Sequence, residues 1–205
     1  MTNQATLPVV ETFHSLQGEG HHSGRSAFFI RLAGCNVGCA WCDTKHSWPE
    51  AAHPQRDLDD LAQEAAAAER QGAAFTVITG GEPLHHNLDP LASALRQATS
   101  LPLHLETSGI DPLSGSPEWI TLSPKPHRPP HQELLSRCDE LKVVIHGQTD
   151  LDFAQAMAAA VRPSTQLLLQ PGWDSDQGQQ LAVEHVRRNP RWRLSLQTHK
   201  WMGVR

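Results

Sequence analysis

Three cysteines crowd into eight positions of this chain: Cys35, Cys39 and Cys42, in AGCNVGCAWC. In a reducing compartment such crowding points to metal ligation or redox chemistry rather than a disulfide framework. Three chemistries compete for them. A structural zinc ion takes four ligands, and His46 is near enough in sequence to complete a Cys3His set. A dithiol redox pair would use Cys39 and Cys42 and need no third cysteine. An iron–sulfur cluster on three thiolates leaves one iron open to an outside ligand, whereas electron-carrying clusters take four. An aminocarboxylate chelating that open iron would hold an adjacent sulfonium bond where an electron from the cluster can cleave it. Gly34 and Gly38 leave the backbone room to fold round an inorganic core, but spacing alone keeps all three readings open. Cys138 stands apart, before a strand-like run, and reads as a small buried residue.

Such a loop needs a scaffold, and the periodicity supplies one. Apolar β-like runs are expected at Val9–Phe13, Ala27–Leu32, Phe75–Thr79, Leu103–Thr107, Trp119–Leu122, Leu141–Ile145, Gln166–Leu169 and Trp192–Leu196. A helix capped by Asp57 runs through LDDLAQEAAAAERQ to Gly72, and further helices are expected over Leu88–Ala98 and near 131–136, 150–161 and 176–188. Repeated strand–helix units imply a mostly parallel sheet with helices outside. About six such units are too few to close an eight-stranded barrel. The expected fold is therefore α/β, a truncated partial (β/α)6 TIM-like barrel of mostly parallel strands, with functional loops at the strands' C-terminal ends. The 205 residues fit one domain, taken as 1–205. The proline-rich SPKPHRPPH reads as a rigid loop.

With 17 basic against 22 acidic residues and no block of like charge, the chain advertises neither a nucleic-acid nor a membrane surface. No apolar run reaches the roughly 20 residues of a membrane span, and the start MTNQATLPVV has no signal-peptide pattern. A cytoplasmic enzyme of small-molecule chemistry is the expectation.

The cysteine spacing CxxxCxxC, the aromatic Trp41 before the last cysteine, and Gly80-Gly81-Glu82-Pro83 at the end of an apolar strand together resemble the radical S-adenosylmethionine superfamily. A glycine pair at a strand end permits close backbone approach, so Gly81 offers backbone polar atoms while Glu82 holds the loop or the ammonium group of the cosubstrate. A closer resemblance covers most of the chain. The segments ETFHSLQGEG, Arg31, CDT, TGGEP, ETSG, SPK, ELK, LQP and LQTHK are similar to those of the 7-carboxy-7-deazaguanine synthase family.

That resemblance implies a homodimer with a 4Fe-4S cluster on Cys35, Cys39 and Cys42, S-adenosyl-L-methionine, and Mg2+ held through Thr44. The reaction implied converts 6-carboxy-5,6,7,8-tetrahydropterin to 7-carboxy-7-deazaguanine with loss of ammonia, in 7-deazapurine (queuosine) biosynthesis. A flavodoxin-type electron donor is also implied. By matched position the pterin meets Leu16, Gln17, Gly18, Glu19, Arg31, Thr79, Gln197 and the terminal carboxylate of Arg205. Arg31 suits the substrate carboxylate through a charge-assisted pair. The cosubstrate meets Trp41, Cys42, Asp43, Gly81, Glu82, Ser123, Pro124, Lys125, Gln170 and Trp173. His199 is the candidate proton shuttle. His21, His22, His85 and His86 lack a carboxylate partner set and read as loop residues. Two rivals remain: an activase that makes a glycyl radical on a protein partner, and a structural zinc module.

Overall fold

The computed structural model describes residues 6–204, so Arg205 lies outside the described residues. Strand β1, Thr6–Leu16, outruns the expected Val9–Phe13 because it continues along β2, Ser26–Leu32, with Glu11 opposite Arg31 and Leu16 opposite Ser26. The two are antiparallel. A third strand, β3 at Gln55–Asp57, lies antiparallel on the outer side of β1. Three residues carry no readable period, and nothing in the sequence marks this strand.

From β2 onward every neighbour is parallel. The order continues β4 (Thr76–Gly80), β5 (Leu103–Thr107), β6 (Trp119–Leu122), β7 (Glu140–Ile145), β8 (Gln166–Pro171) and β9 (Trp192–Leu194). Among the described residues the sheet has nine strands and does not close, with β3 and β9 at its edges, and the partial barrel expected from the alternation is present. Helices α1 (Leu58–Arg70), α2 (Asp89–Ala98), α3 (Gln132–Arg137), α4 (Gln148–Ala160) and α5 (Asp176–Arg188) make the crossovers. The β5–β6 connection, residues 108–118, has none. A last short helix, α6 (Thr198–Met202), follows β9. None of the helices described is long and apolar enough to cross a membrane.

Local chemistry accounts for α1. The Asp57 carboxylate accepts the Asp59 N–H at 2.8 Å, Asp59 and Asp60 sit at the positive end of the helix dipole, and Gly72 turns the chain out at φ +98°. Its buried stripe of Leu58, Leu61, Ala62, Ala65 and Ala68 has helical spacing and faces the sheet.

The strands' two-residue period then sorts the side chains. Ile30, Leu32, Ile78, Leu103, Leu105, Ile120, Leu122, Leu141, Val143, Ile145, Leu167 and Leu169 join the core between sheet and helices. The alternate positions therefore face the barrel interior. Near its floor these are Phe29 and Val77, with Phe13 stacked on Phe29 at 4.8 Å. Beside them His22 from the loop packs against Phe75, His104 and Trp119, and burial pulls His22 down to about 4. At the C-terminal ends the same parity presents Arg31, Thr79, Glu106, Lys142 and Gln170. Cys138 is fully buried in the main core, its thiol pushed up to about 11 by burial, as the structural reading expected.

Candidate active site

The cysteine loop leaves β2 through Gly34 at φ +99° and turns again at Gly38, φ +77°. The Gly34 N–H donates to Ser47 O at 2.8 Å and the Cys35 N–H to Trp48 O at 3.2 Å, which folds the segment after the loop back along it. All three cysteines are free thiols lining one cavity of about 190 Å3, against Val37 and Ile110. Burial pushes the Cys35 and Cys39 thiols up, with Lys125 opposing that at Cys39. Among the described residues, no three His, Cys, Asp or Glu side chains converge tightly enough for a single metal ion. His46, needed for a Cys3His zinc set, is exposed and lines none of the site cavities described. Thiols spread round one apolar-backed cavity suit a larger inorganic core, in which each ligates a different iron.

The glycine pair is needed for contact. A β-carbon on Gly81 would stand 2.8 Å from Cys35 Cβ and closer still to Gly34 O, while one on Gly80, at φ +153°, would strike Leu32 backbone. The end of β4 thus lies directly against the cysteine loop, with Gly81 N–H donating to Leu32 O at 3.0 Å and Glu82 N–H to Gly34 O at 2.9 Å. Replacing Gly81 by alanine is expected to destabilise the protein by about 1–3 kcal/mol through overpacking and to weaken cosubstrate binding. Thermal unfolding and equilibrium binding check this.

Glu82 is almost wholly buried and is engaged within the protein. Its oxygens accept from Leu84 N at 3.1 Å, Thr107 Oγ1 at 2.5 Å, Ser108 N at 2.8 Å and Ser108 Oγ at 2.5 Å. Of its two expected roles, loop holding is the one this geometry performs. Thr107 and Ser108 of the ETSG segment supply most of this clamp.

A second cavity, about 240 Å3, is lined by Leu16, Gln17, Gly18, Glu19, Arg31, Thr79, Glu106, Gln197 and His199 among others. Arg31 Nε pairs with Glu11 Oε1 at 3.1 Å across the β1–β2 register. Gln17 has a fixed orientation: Nε2 donates to Glu106 Oε1 at 2.9 Å while Oε1 accepts the Glu19 N–H at 3.1 Å. Thr79 Oγ1 donates to the other Glu106 oxygen at 2.9 Å. Glu19 forms an ion pair with Lys142 and accepts Gln197 Nε2 at 2.9 Å. Burial pulls Glu19 upward, but Lys142, Gln197 and Gln170 outweigh it and hold the carboxyl at about 2. Lys142 is raised above the ordinary lysine range despite its burial, by Glu19, Glu106 and Glu140.

A third cavity of about 210 Å3 joins Trp41, Asp43, Ser123, Lys125, Gln170 and Trp173. Lys125 donates to Ser123 O at 2.5 Å and Ser123 Oγ at 2.8 Å and lies over the Trp41 ring; desolvation pulls its ammonium down to about 8. Residues 197–200 link this cavity to the loop of Gly18. Thr198 N–H and Oγ1 both donate to Gly18 O at 2.9 Å, and His199 packs so tightly on Gly18 that a β-carbon there would collide with its ring. Lys200 pairs with Asp43 at 2.7 Å and sits 4.6 Å from the Trp173 ring centre.

The structure thus gathers nearly every expected site residue round one mouth. Pro124 is buried and lines none of the three cavities, and Arg205 lies outside the described residues. Glu106, Lys142 and His146 line the cavities without having been assigned a role. The signal for the first two lay in ETSG and ELK. Of the histidines read as loop residues, His86 Nε2 meets Ala33 O at 2.7 Å and His85 approaches Asp111 at 3.8 Å.

Comparison with known proteins agrees with this geometry. Residues 29–124 match the model of the Radical SAM superfamily. The chain is 54% identical to a 7-carboxy-7-deazaguanine synthase of Prochlorococcus marinus, covering 97% of this chain and 98% of that one. It is 35% identical to the 7-carboxy-7-deazaguanine synthase of Escherichia coli K12, covering 96% and 98%. The crystal structure of QueE from Escherichia coli superposes with a TM-score of 0.80 at 34% identity over 95% of each chain. The cysteine loop, the glycine-paired strand end and the likeness along nearly the whole length place this chain in the 7-carboxy-7-deazaguanine synthase family of the radical S-adenosylmethionine superfamily.

Proposed function

We propose that the chain converts 6-carboxy-5,6,7,8-tetrahydropterin to 7-carboxy-7-deazaguanine with loss of ammonia, feeding 7-deazapurine synthesis. The observation that carries this is the junction of two cavities: Asp43, Thr44, Thr79, Gly80 and Glu106 line both the cysteine cavity and the cavity of Gln17 and Arg31. A reactive species made in the first meets a substrate held in the second across one residue layer. Cys35, Cys39 and Cys42 would hold the cluster, which with bound S-adenosylmethionine would supply radical hydrogen-abstraction chemistry toward C6 of the pterin.

The protein's own task is placement. Arg31 pairs with the substrate carboxylate. Leu16, Gln17, Gly18 and Glu19 read the ring edge, and Gln17 does so with its amide already oriented. An ionised Glu19 accepts from N–H groups of the pyrimidine half. Trp41, Asp43 and Gly81 contact the cosubstrate with Ser123, Lys125, Gln170 and Trp173. His199 stands at the substrate cavity as proton carrier. Thr44, whose Oγ1 lies 3.5 Å from Cys42 Sγ, lines both cavities and would offer a magnesium ion one neutral oxygen. That suits a hard cation that keeps its waters. The working protein is a cytoplasmic homodimer reduced by a flavodoxin-type donor.

The test is anaerobic incubation of reconstituted protein with the carboxytetrahydropterin, S-adenosylmethionine, magnesium and a reductant, with product identified by mass. 7-Carboxy-7-deazaguanine is expected. Release of deoxyadenosine without it overturns the substrate assignment. Thr44→Ala is expected to keep its iron and sulfide while turnover falls by about tenfold or more; parallel loss of cluster and activity would contradict the magnesium role.

A further inference from the structure

The loop that carries Gln17 and Glu19 is gripped at three successive residues. Glu19 meets Lys142 and Gln197, Gly20 N–H donates to Ser195 Oγ at 3.0 Å, and His21 N–H donates to Glu140 Oε2 at 2.8 Å. Gly20 stands at φ +71°, and a β-carbon there would collide with the Glu140 carboxylate, so the loop lies hard against β7. The hold at Gly20 reaches further. Ser195 Oγ donates in turn to Gln170 Oε1 at 2.8 Å. Ser195 follows β9, is 2% exposed and lines none of the cavities described, whereas Gln170 lines the one containing Trp41, Lys125 and Trp173.

Proton count fixes the sense of this chain. The Gly20 N–H can only donate, so Ser195 Oγ accepts from it, and among the described residues the hydroxyl has one other partner, Gln170. The single hydroxyl proton therefore goes to Gln170, which must present its amide oxygen to Ser195 and turn its NH2 the other way. That NH2 bonds the Glu19 carboxylate, and a ring closes from Gly20 through Ser195 and Gln170 to the residue before Gly20. Such linked bonds strengthen one another. An NH2 has two hydrogens, so Gln170 can hold Glu19 and still offer a donor to the cavity it lines. With the amide reversed, its oxygen would face the ionised Glu19. Glu19 lines both this cavity and the cavity of Gln17 and Arg31, so the ring touches both ligand sites.

We infer that Ser195 is a positioning residue: it locks the Gln170 amide as a donor toward Glu19 and the cosubstrate cavity, and so makes pterin and S-adenosylmethionine tighten each other's binding. The inference rests on the proposed assignment of the two cavities to those two ligands. A pterin seated on Gln17 and Glu19 orders the loop that Ser195 grips, and the ordered loop holds Gln170 ready for the cosubstrate. The path also runs in reverse. Coupling between two sites is reciprocal, so each ligand changes the other's affinity by one common factor.

Calorimetry on cluster-loaded protein, with the cluster oxidised and no reductant present, measures binding without turnover. The Kd of S-adenosylmethionine is taken alone and with saturating 6-carboxy-5,6,7,8-tetrahydropterin. In the wild type the pterin is expected to lower that Kd by about tenfold, within the usual span of coupling between sites. Ser195→Ala removes both hydroxyl bonds and is expected to abolish the coupling while keeping its iron and sulfide. Ser195→Thr retains the hydroxyl and should retain most of the coupling. Gln170→Met keeps the side-chain length without the amide; it should lose the coupling too, and it decides the matter if Ser195→Ala does not fold. Absence of coupling in the wild type overturns the inference. So does coupling that survives in Ser195→Ala with only Tm lowered, or an equal loss in the Ala and Thr variants. Failure of the wild type to bind the pterin at all strikes the substrate assignment instead, so the two failures are distinct.

Discussion

Cys39→Ala is expected to lose turnover entirely while remaining folded. On a four-iron cluster three thiolates leave one iron open, and removing one leaves only two protein ligands to hold it. Cys39 is also separate from the main core, since it packs with Val37 and Ile110 in a small satellite of apolar side chains. Truncating it there should cost roughly 1 kcal/mol, a shift of about 2–4 °C in Tm for a chain of this size. Iron and sulfide content, the visible spectrum and thermal unfolding measured together decide the point. A variant that keeps a full cluster and active turnover would mean that Cys39 is not a ligand, and one that fails to fold would mean that the thiol is structural.

The second large effect is expected at Lys142, whose ammonium governs the charge beside the substrate cavity. Its ammonium is buried with Glu19, near Glu106 and a Glu140 whose carboxyl burial pushes up. Lys142→Met leaves Glu19 as an uncompensated buried charge, which costs on the order of 3–5 kcal/mol. The pH dependence gives the sign. The folded pKa of Glu19, about 2, lies below its unfolded value of 4.5, so its stabilisation is full above pH 4.5 and is lost as pH falls toward 2. Acid titration of stability should therefore show a loss between those values in the native protein and a much smaller one in Lys142→Met. In catalysis the change should raise the pterin KM by at least about tenfold. Lys142→Arg, which keeps the charge, should recover part of it. An unaltered acid limb in Lys142→Met would remove the Glu19–Lys142 pair from the account.

Several parts of this arrangement are legible in local sequence because each depends only on neighbours along the chain. The Asp57 cap and the helical stripe of α1 need no partner to be read. The apolar runs mark the longer strands, and the glycine pair at the end of β4 marks a close backbone approach. The cysteine spacing limits the chemistry to metal, dithiol or cluster, and its flanks narrow that through their resemblance to one family.

What local pattern leaves open is adjacency. A lysine inside a strand reads as a solvated face until the sheet order sets β7 beneath the loop carrying Glu19, 123 residues away. Glu106 reads the same way until β4 and β5 pair and Gln17 folds over both. The three-residue β3 and five-residue α6 are too short to show a period, so only their contacts define them. The helix-free β5–β6 connection likewise has no local signature. By itself the sequence determined where the longer strands and helices lie and narrowed the chemistry of the cysteines, since both follow from residue type and local spacing. The tertiary structure alone decided which buried charges neutralise one another and which loops meet at the mouth, because those energies belong to pairs that only the packed sheet brings together.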